Sequence, residues 1–221
     1  MSVYALILCG GSGTRMGGAG NKTLLPVGGM PAIVRSVRAF EGLTDGAVLV
    51  TRAGEEALFS DTLAAYGLAV SAIVPGGADR QASALCGLRA LPADADIVLI
   101  HDGARPFVRR ETIAAVIDSV KAHGSGVAAV SARDTIKRAD SSGLVIETPD
   151  RATLYQVQTP QGFRVSELLA AHARAQDRYT DDAALMEAAG FPVHLTPGSY
   201  DNIKLTSPED LTMGEGMLLP R

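Results

Sequence analysis

The sequence predicts an α/β fold built on a mainly parallel sheet, and three observations carry that expectation. Short aliphatic runs alternate with helical patterns along most of the 221 residues, and such βαβ alternation implies a parallel sheet covered by helices. Most runs are almost continuously apolar, as strands buried on both faces must be. The glycine-rich and polar clusters fall just after the runs, at the carboxyl edge where open α/β sheets bind ligands. Together these describe a Rossmann-like sheet flanked by helices, with a β-hairpin projecting from it.

The first run, 3–9, ends in Gly10-Gly11-Ser12-Gly13-Thr14-Arg15-Met16-Gly17. Further strands are predicted at 47–51, 68–74, 97–101 and 126–132, and helices at 32–40, 55–66, 80–91 and 111–123, where apolar residues recur three and four apart. After 134 the pattern changes: Asp140-Ser141-Ser142-Gly143 reads as a turn between short strands at 135–138 and 144–148. An isolated hairpin is marginally stable. The span 133–158 therefore reads either as a dimerisation arm or as a hairpin folded against its own domain. Helices at 166–176 and 181–189, a strand at 193–196 and a closing helix from Pro208 complete one domain, 1–221, without repeats.

Composition narrows the function. A hydrophobic fraction of 47% fills a proper core, and a net charge of −4 lacks the basic surplus of a nucleic-acid-coating protein. No apolar run approaches the roughly 20 residues needed to cross a bilayer, and the amino terminus lacks the basic region of a signal peptide. The two cysteines, Cys9 and Cys86, lie in no metal or CxxC spacing, and the four histidines have no zinc-ligand spacing. A cytoplasmic protein without nucleic-acid or membrane partners is expected.

The chemistry concentrates in four places. Gly10, Gly11 and Gly13 are free to adopt positive φ, and successive N–H groups in such a loop form an anion-binding concavity. Arg15 and Lys22 add fixed charge where a polyphosphate would lie. The G-G-x-G spacing is neither a Walker loop nor G-x-G-x-x-G. In the second place, Gly76-Gly77-Ala78-Asp79-Arg80-Gln81-Ala82-Ser83, two glycines open the backbone before a helix whose first turn carries Arg80 and Ser83. Ser83 reads as a ligand contact or as a plain cap. Third, Asp102 ends a buried strand, where a carboxylate is costly unless partnered. It would help place Mg²⁺ through water, touch a ribose, or pair with Arg105; His101 beside it reads as a satisfied core histidine. Fourth, Lys204 follows a short apolar stretch and is either a solvated charge or part of the same edge.

These motifs resemble the 2-C-methyl-D-erythritol 4-phosphate cytidylyltransferase family of the non-mevalonate isoprenoid pathway. The most specific pieces are His101-Asp102-Gly103-Ala104-Arg105-Pro106, Arg133-Asp134-Thr135-Ile136-Lys137-Arg138, Gln158-Thr159-Pro160-Gln161-Gly162-Phe163, Tyr179-Thr180-Asp181-Asp182-Ala183 and Asp201-Asn202-Ile203-Lys204. The resemblance implies transfer of CMP from CTP to the polyol phosphate, with Mg²⁺ as divalent cation and release of pyrophosphate. It implies that Arg15 and Lys22 stabilise the α-phosphate, and that Cys9, Gly10, Gly11, Gly77, Arg80 and Ser83 surround the nucleotide. Arg105, Thr135, Arg151, Thr159, Thr180 and Lys204 would handle the acceptor, with Arg151 and Lys204 placing its phosphate. The hairpin would embrace a second subunit, so that Thr135 and Arg151 serve the neighbour's site in a homodimer. Family members often carry Ala-Ala where this chain has Cys9-Gly10, and Pro-Lys-Gln where it has Asn21-Lys22-Thr23. The glycine loop is also similar to that of ribitol-5-phosphate cytidylyltransferases, the leading enzymatic alternative. A nucleotide-binding regulatory module is the non-enzymatic one.

Overall fold

The computed structural model describes residues 1–11 and 20–219. Strand β1 (Ser2–Leu8) is followed by a small hairpin of β2 (Pro26–Val27) and β3 (Met30–Pro31). Then come α1 (Ala32–Phe40), β4 (Gly46–Thr51), α2 (Glu56–Ala64), β5 (Ala72–Pro75), α3 (Arg80–Arg89), β6 (Ala95–Asp102), α4 (Arg110–His123) and β7 (Ser125–Ser131). A two-stranded hairpin of β8 (Arg138–Ala139) and β9 (Val145–Glu147) precedes β10 (Tyr155–Arg164). The chain closes with α5 (Val165–Arg174), α6 (Asp182–Ala188), β11 (Leu195–Pro197) and α7 (Pro208–Met217).

Seven strands form the main sheet in the order β11-β7-β10-β6-β1-β4-β5. β1 pairs in parallel with β4 and β6, β4 with β5, and β7 with β11. β10 runs antiparallel between β6 and β7. The chain builds outward from β1 to β4 and β5, then crosses to place β6 on the other side of β1. That reversal leaves a crevice at the carboxyl ends of β1 and β6, the usual ligand position in such sheets. Gly103 N–H donates to the Leu8 carbonyl at 2.9 Å and holds the two strand ends together.

Both faces are covered, which explains the unbroken apolar runs. Alternation along β1 sends Val3, Ala5 and Ile7 to a core shared with Phe40, Phe59, Leu63 and Ile113 from α1, α2 and α4. Leu6 joins the opposite core, with Val98, Ile100 and Phe163 against α3, α5 and α6. Helix starts are fixed by side chains: Asp79 caps α3, Asp181 caps α6, and Ser207 with Asp210 forms a capping box on α7.

Three expectations need correction. The strand expected at 68–74 begins at Ala72, because Leu68 instead closes the turn after α2, its N–H on the Leu63 carbonyl at 3.0 Å. β10 was not expected as a strand, since Gln158, Pro160 and Gln161 look unlike a buried one and proline is unusual inside a sheet. The ladder with β7 accommodates Pro160 by a register irregularity between Val157 and Gln161. The polar side chains are engaged: Gln161 Nε2 donates to Asp181 at 2.9 Å and its Oε1 accepts from Ala183 N–H at 3.0 Å. The hairpin forms where expected but with shorter strands, its turn closed by Asp140 Oδ1, which accepts from Ser142 and Leu144 N–H groups at 2.9 and 3.0 Å.

Phe163 is fully buried where β10 meets α5. Phe163→Ala should cost about 3–5 kcal/mol, read by urea unfolding; a loss below about 1 kcal/mol would contradict the packing described.

Candidate active site

The crevice opens into a cleft of about 420 Å³. Cys9, Gly10, Gly11 and Lys22 enter it from the loop after β1, Gly77, Arg80 and Ser83 from the β5–α3 turn, Asp102 from β6, and Lys204 from the segment before α7. A second cavity of about 150 Å³ adjoins it through the shared residues Arg80, Asp102 and Lys204, and is completed by Arg105, Thr159 and Thr180. The structure therefore brings most of the residues singled out in the sequence to one edge.

Asp102 is the electrostatic centre. Lys204 Nζ lies 2.8 Å from its carboxylate, Arg105 Nε 3.6 Å and Arg80 Nε 3.8 Å. Burial alone would raise its carboxyl, but Lys204, Arg80 and Arg105 outweigh that and hold it well below the usual carboxylate range. Arg80 also pairs with the buried Asp182 at 2.7 Å, which anchors the guanidinium from the far side.

His101 is, as read from the sequence, a satisfied core histidine. Its Nε2 donates to the Arg105 carbonyl at 3.2 Å, and its Nδ1 lies 3.1 Å from the Thr159 hydroxyl. Since Thr159 Oγ1 already accepts from Asp102 N–H at 3.0 Å, its proton goes to Nδ1, which fixes the neutral Nε2–H tautomer. Burial pushes the His101 pKa down to about 4. Asn202 binds the other side of this network. Its Nδ2 donates to the Thr159 carbonyl at 2.8 Å and to Gln158 at 3.2 Å, and its carbonyl accepts from Arg105 Nη1 at 2.7 Å.

The individual expectations fare differently. Gly10 and Gly11 do not take positive φ, so their value lies in an open backbone. Gly77 is sterically required: a Cβ there would sit 2.5 Å from the Ala82 Cβ. Asp79, not Ser83, caps α3; the Ser83 hydroxyl donates to the Asp79 carbonyl at 2.7 Å and accepts from Gly77 N–H at 3.1 Å. Cys9 is 1% exposed and burial pushes its thiol far up, so it meets the cleft as an inert wall. Thr135 and Arg151 line neither cavity; Arg151 Nη1 donates to the Arg133 carbonyl at 2.6 Å beside the hairpin. Gly13 and Arg15 lie outside the described residues. Sequence reading assigned no role to Asp182, Asn202, Gln158 or Gln161, although each stands within or beside a quoted motif. Among the described residues no cluster of three or more His, Cys, Asp or Glu is suited to a metal.

A family model described as IspD: 2-C-methyl-D-erythritol 4-phosphate cytidylyltransferase matches residues 3–219. The chain is 41% identical to the 2-C-methyl-D-erythritol 4-phosphate cytidylyltransferase of Desulforamulus reducens, over 100% of this chain and 97% of that one. It is 44% identical to the protein of the same name from Geobacillus kaustophilus, over 100% and 99%. The crystal structure of 4-diphosphocytidyl-2C-methyl-D-erythritol synthase from Anaerococcus prevotii superposes with a TM-score of 0.87 at 29% identity, covering 98% of each chain. That of the Thermus thermophilus cytidylyltransferase gives 0.81 at 32%, again covering 98% of each.

The buried His101 makes stability depend on pH. Its folded pKa of about 4 lies below the ordinary 6.5, so the unfolded chain takes up a proton that the folded chain refuses. The contribution is complete above pH 6.5 and is lost as the pH falls toward 4, about 3 kcal/mol in all. Urea unfolding at pH 7 and pH 4.5 should show a drop in the wild type that is much smaller in His101→Gln; equal drops in both would contradict the assignment.

Proposed function

The chain belongs to the 2-C-methyl-D-erythritol 4-phosphate cytidylyltransferase family, and on that premise we propose that its two cavities transfer the cytidylyl group of CTP to 2-C-methyl-D-erythritol 4-phosphate, releasing pyrophosphate. One observation carries the assignment to this site. A large cleft and a smaller cavity adjoin at the sheet's switch point and share Arg80, Asp102 and Lys204, so two phosphorylated ligands would meet across common charges.

The acceptor's phosphate is already anionic at neutral pH and attacks the α-phosphorus without a general base. That suits a site whose thiol is held protonated and whose histidine is held neutral. Catalysis then consists of alignment and charge stabilisation, as in other phosphoryl transfers. Lys22 on the cleft wall, together with Arg15 as read from the sequence, stabilises charge at the α-phosphate and the leaving pyrophosphate. Cys9, Gly10, Gly11, Gly77, Arg80 and Ser83 enclose the nucleotide. Lys204 and Arg105 hold the acceptor phosphate, Thr180 lines the space left for the polyol, and Thr159, its hydroxyl engaged with His101 and Asp102, shapes that wall from behind. The Lys204 side chain is 39% exposed, so its amine can turn from Asp102 to an incoming phosphate.

Lys204, Arg105 and Arg80 already surround the Asp102 oxygens, so Asp102 would meet a magnesium ion through water, the ion being carried by phosphate oxygens. When bound the ion would neutralise charge on the triphosphate. Among the described residues no helix is long and apolar enough to cross a membrane. Cys9 and Cys86 are both free thiols, which supports a cytoplasmic setting.

The reading includes a homodimer through the hairpin. Leu144, Val145 and Ile146 are 68%, 51% and 60% exposed, an apolar surface that a second subunit would cover, bringing Thr135 and Arg151 to the partner's acceptor.

Pyrophosphate release from CTP and Mg²⁺ should require 2-C-methyl-D-erythritol 4-phosphate; release with ribitol 5-phosphate and none with the methylerythritol phosphate would transfer the assignment to ribitol. Lys22→Ala should lower kcat by about 10²–10³, and an unchanged kcat would remove Lys22 from the mechanism. Ile146→Asp should shift the sedimenting species from dimer to monomer; an unaltered dimer would place the interface elsewhere.

A further inference from the structure

Cys9 and Gly11, at the start of the loop after β1, are held from behind by side chains to which the mechanism gives no part. Asn21 is 4% exposed and its amide is fully engaged. Its Nδ2 donates to the Cys9 carbonyl and to Glu55, each at 2.7 Å. Its Oδ1 accepts from the Thr23 N–H at 3.1 Å and the Thr23 hydroxyl at 2.8 Å. Glu55 also faces Arg52 at 3.6 Å, and Arg52 Nη2 donates to the Gly11 carbonyl at 2.6 Å. One linked cluster therefore holds the carbonyls of both Cys9 and Gly11.

A trans peptide points its C=O and N–H in opposite directions. With the Cys9 carbonyl drawn back onto Asn21, the N–H of Gly10 faces the cleft that Gly10 lines. Carbonyl oxygens that would repel a phosphate are turned away by the same bonds. Asn21 also caps the 3-10 turn Lys22–Leu24 and so fixes where the Lys22 side chain starts.

We infer that Asn21, Glu55 and Arg52 are positioning residues that hold Cys9–Gly11, the start of the glycine loop, ready for nucleotide phosphates, aiming the Gly10 N–H at them and keeping the Cys9 and Gly11 carbonyls away. The inference rests on the larger cleft being the CTP site. Its gain is preorganisation, since backbone already fixed at Cys9–Gly11 loses less freedom when the ligand arrives.

The test is calorimetric titration of CTP with MgCl₂ into wild type, Asn21→Ala and Arg52→Ala, at a temperature where circular dichroism shows each folded. Both variants should bind CTP about tenfold more weakly while the acceptor's KM stays unchanged, a split that lowered stability in a still-folded protein does not produce. If Asn21→Ala does not fold, Arg52→Ala, which leaves Asn21 in place, decides alone. Wild-type affinity in either folded variant overturns the inference and leaves the proposed function standing. A wild type that does not bind CTP overturns both.

Discussion

A buried carboxylate at the end of β6 governs the arrangement of this edge of the sheet. Taking Asp102 out of water is expensive unless cations compensate, and three gather around it: Arg80 from α3, Arg105 from the turn after β6, and Lys204 from the segment before α7. One charge thus ties together elements far apart in sequence and on both sides of the switch point. Removing Asp102 would leave the three cations without their shared anion, so the geometry of both cavities depends on it. Neutral hydrogen bonds complete the scaffold: Asn202, Thr159 and His101 link β6, β10 and the returning carboxyl-terminal segment.

The site follows a consistent chemical plan. Groups that could take part in acid–base or nucleophilic chemistry are withdrawn from it, Cys9 by burial and His101 by burial with both ring nitrogens engaged. Besides Asp79 and Asp102, the cleft is lined by the cations Lys22, Arg80 and Lys204, by small side chains and by backbone. Transfer between two anions requires that combination, because its barrier lies in bringing like charges together and stabilising those that develop.

Some of this was legible in the sequence. β1, β4, β6 and β7 are apolar runs that could pack only between two layers of helices, and the clusters after β1, β5 and β6 do converge. β10 was hidden because its inward side chains are glutamines and a proline whose partners lie at Asp181, Ala183 and Ser199. Asp102 was visible as an anomaly at a strand end. Its pairing with Arg105, three residues on, was among the readings; the approach of Arg80 and Lys204 was not, since residues 80 and 204 reach it only through topology. The loop glycines suggested unusual φ, whereas Gly10 and Gly11 use ordinary φ and are held in place by Asn21 and Arg52. An asparagine before a lysine reads as a loop residue until its four hydrogen bonds are seen.

The most direct measurement is a crystal structure with CTP and 2-C-methyl-D-erythritol 4-phosphate bound together in an inactive variant. The account places the triphosphate in the larger cleft beside Lys22 and the acceptor's phosphate in the smaller cavity, within hydrogen-bond distance of Lys204 Nζ. A nucleotide lodged away from Lys22, or an acceptor beyond the reach of Lys204, would contradict it.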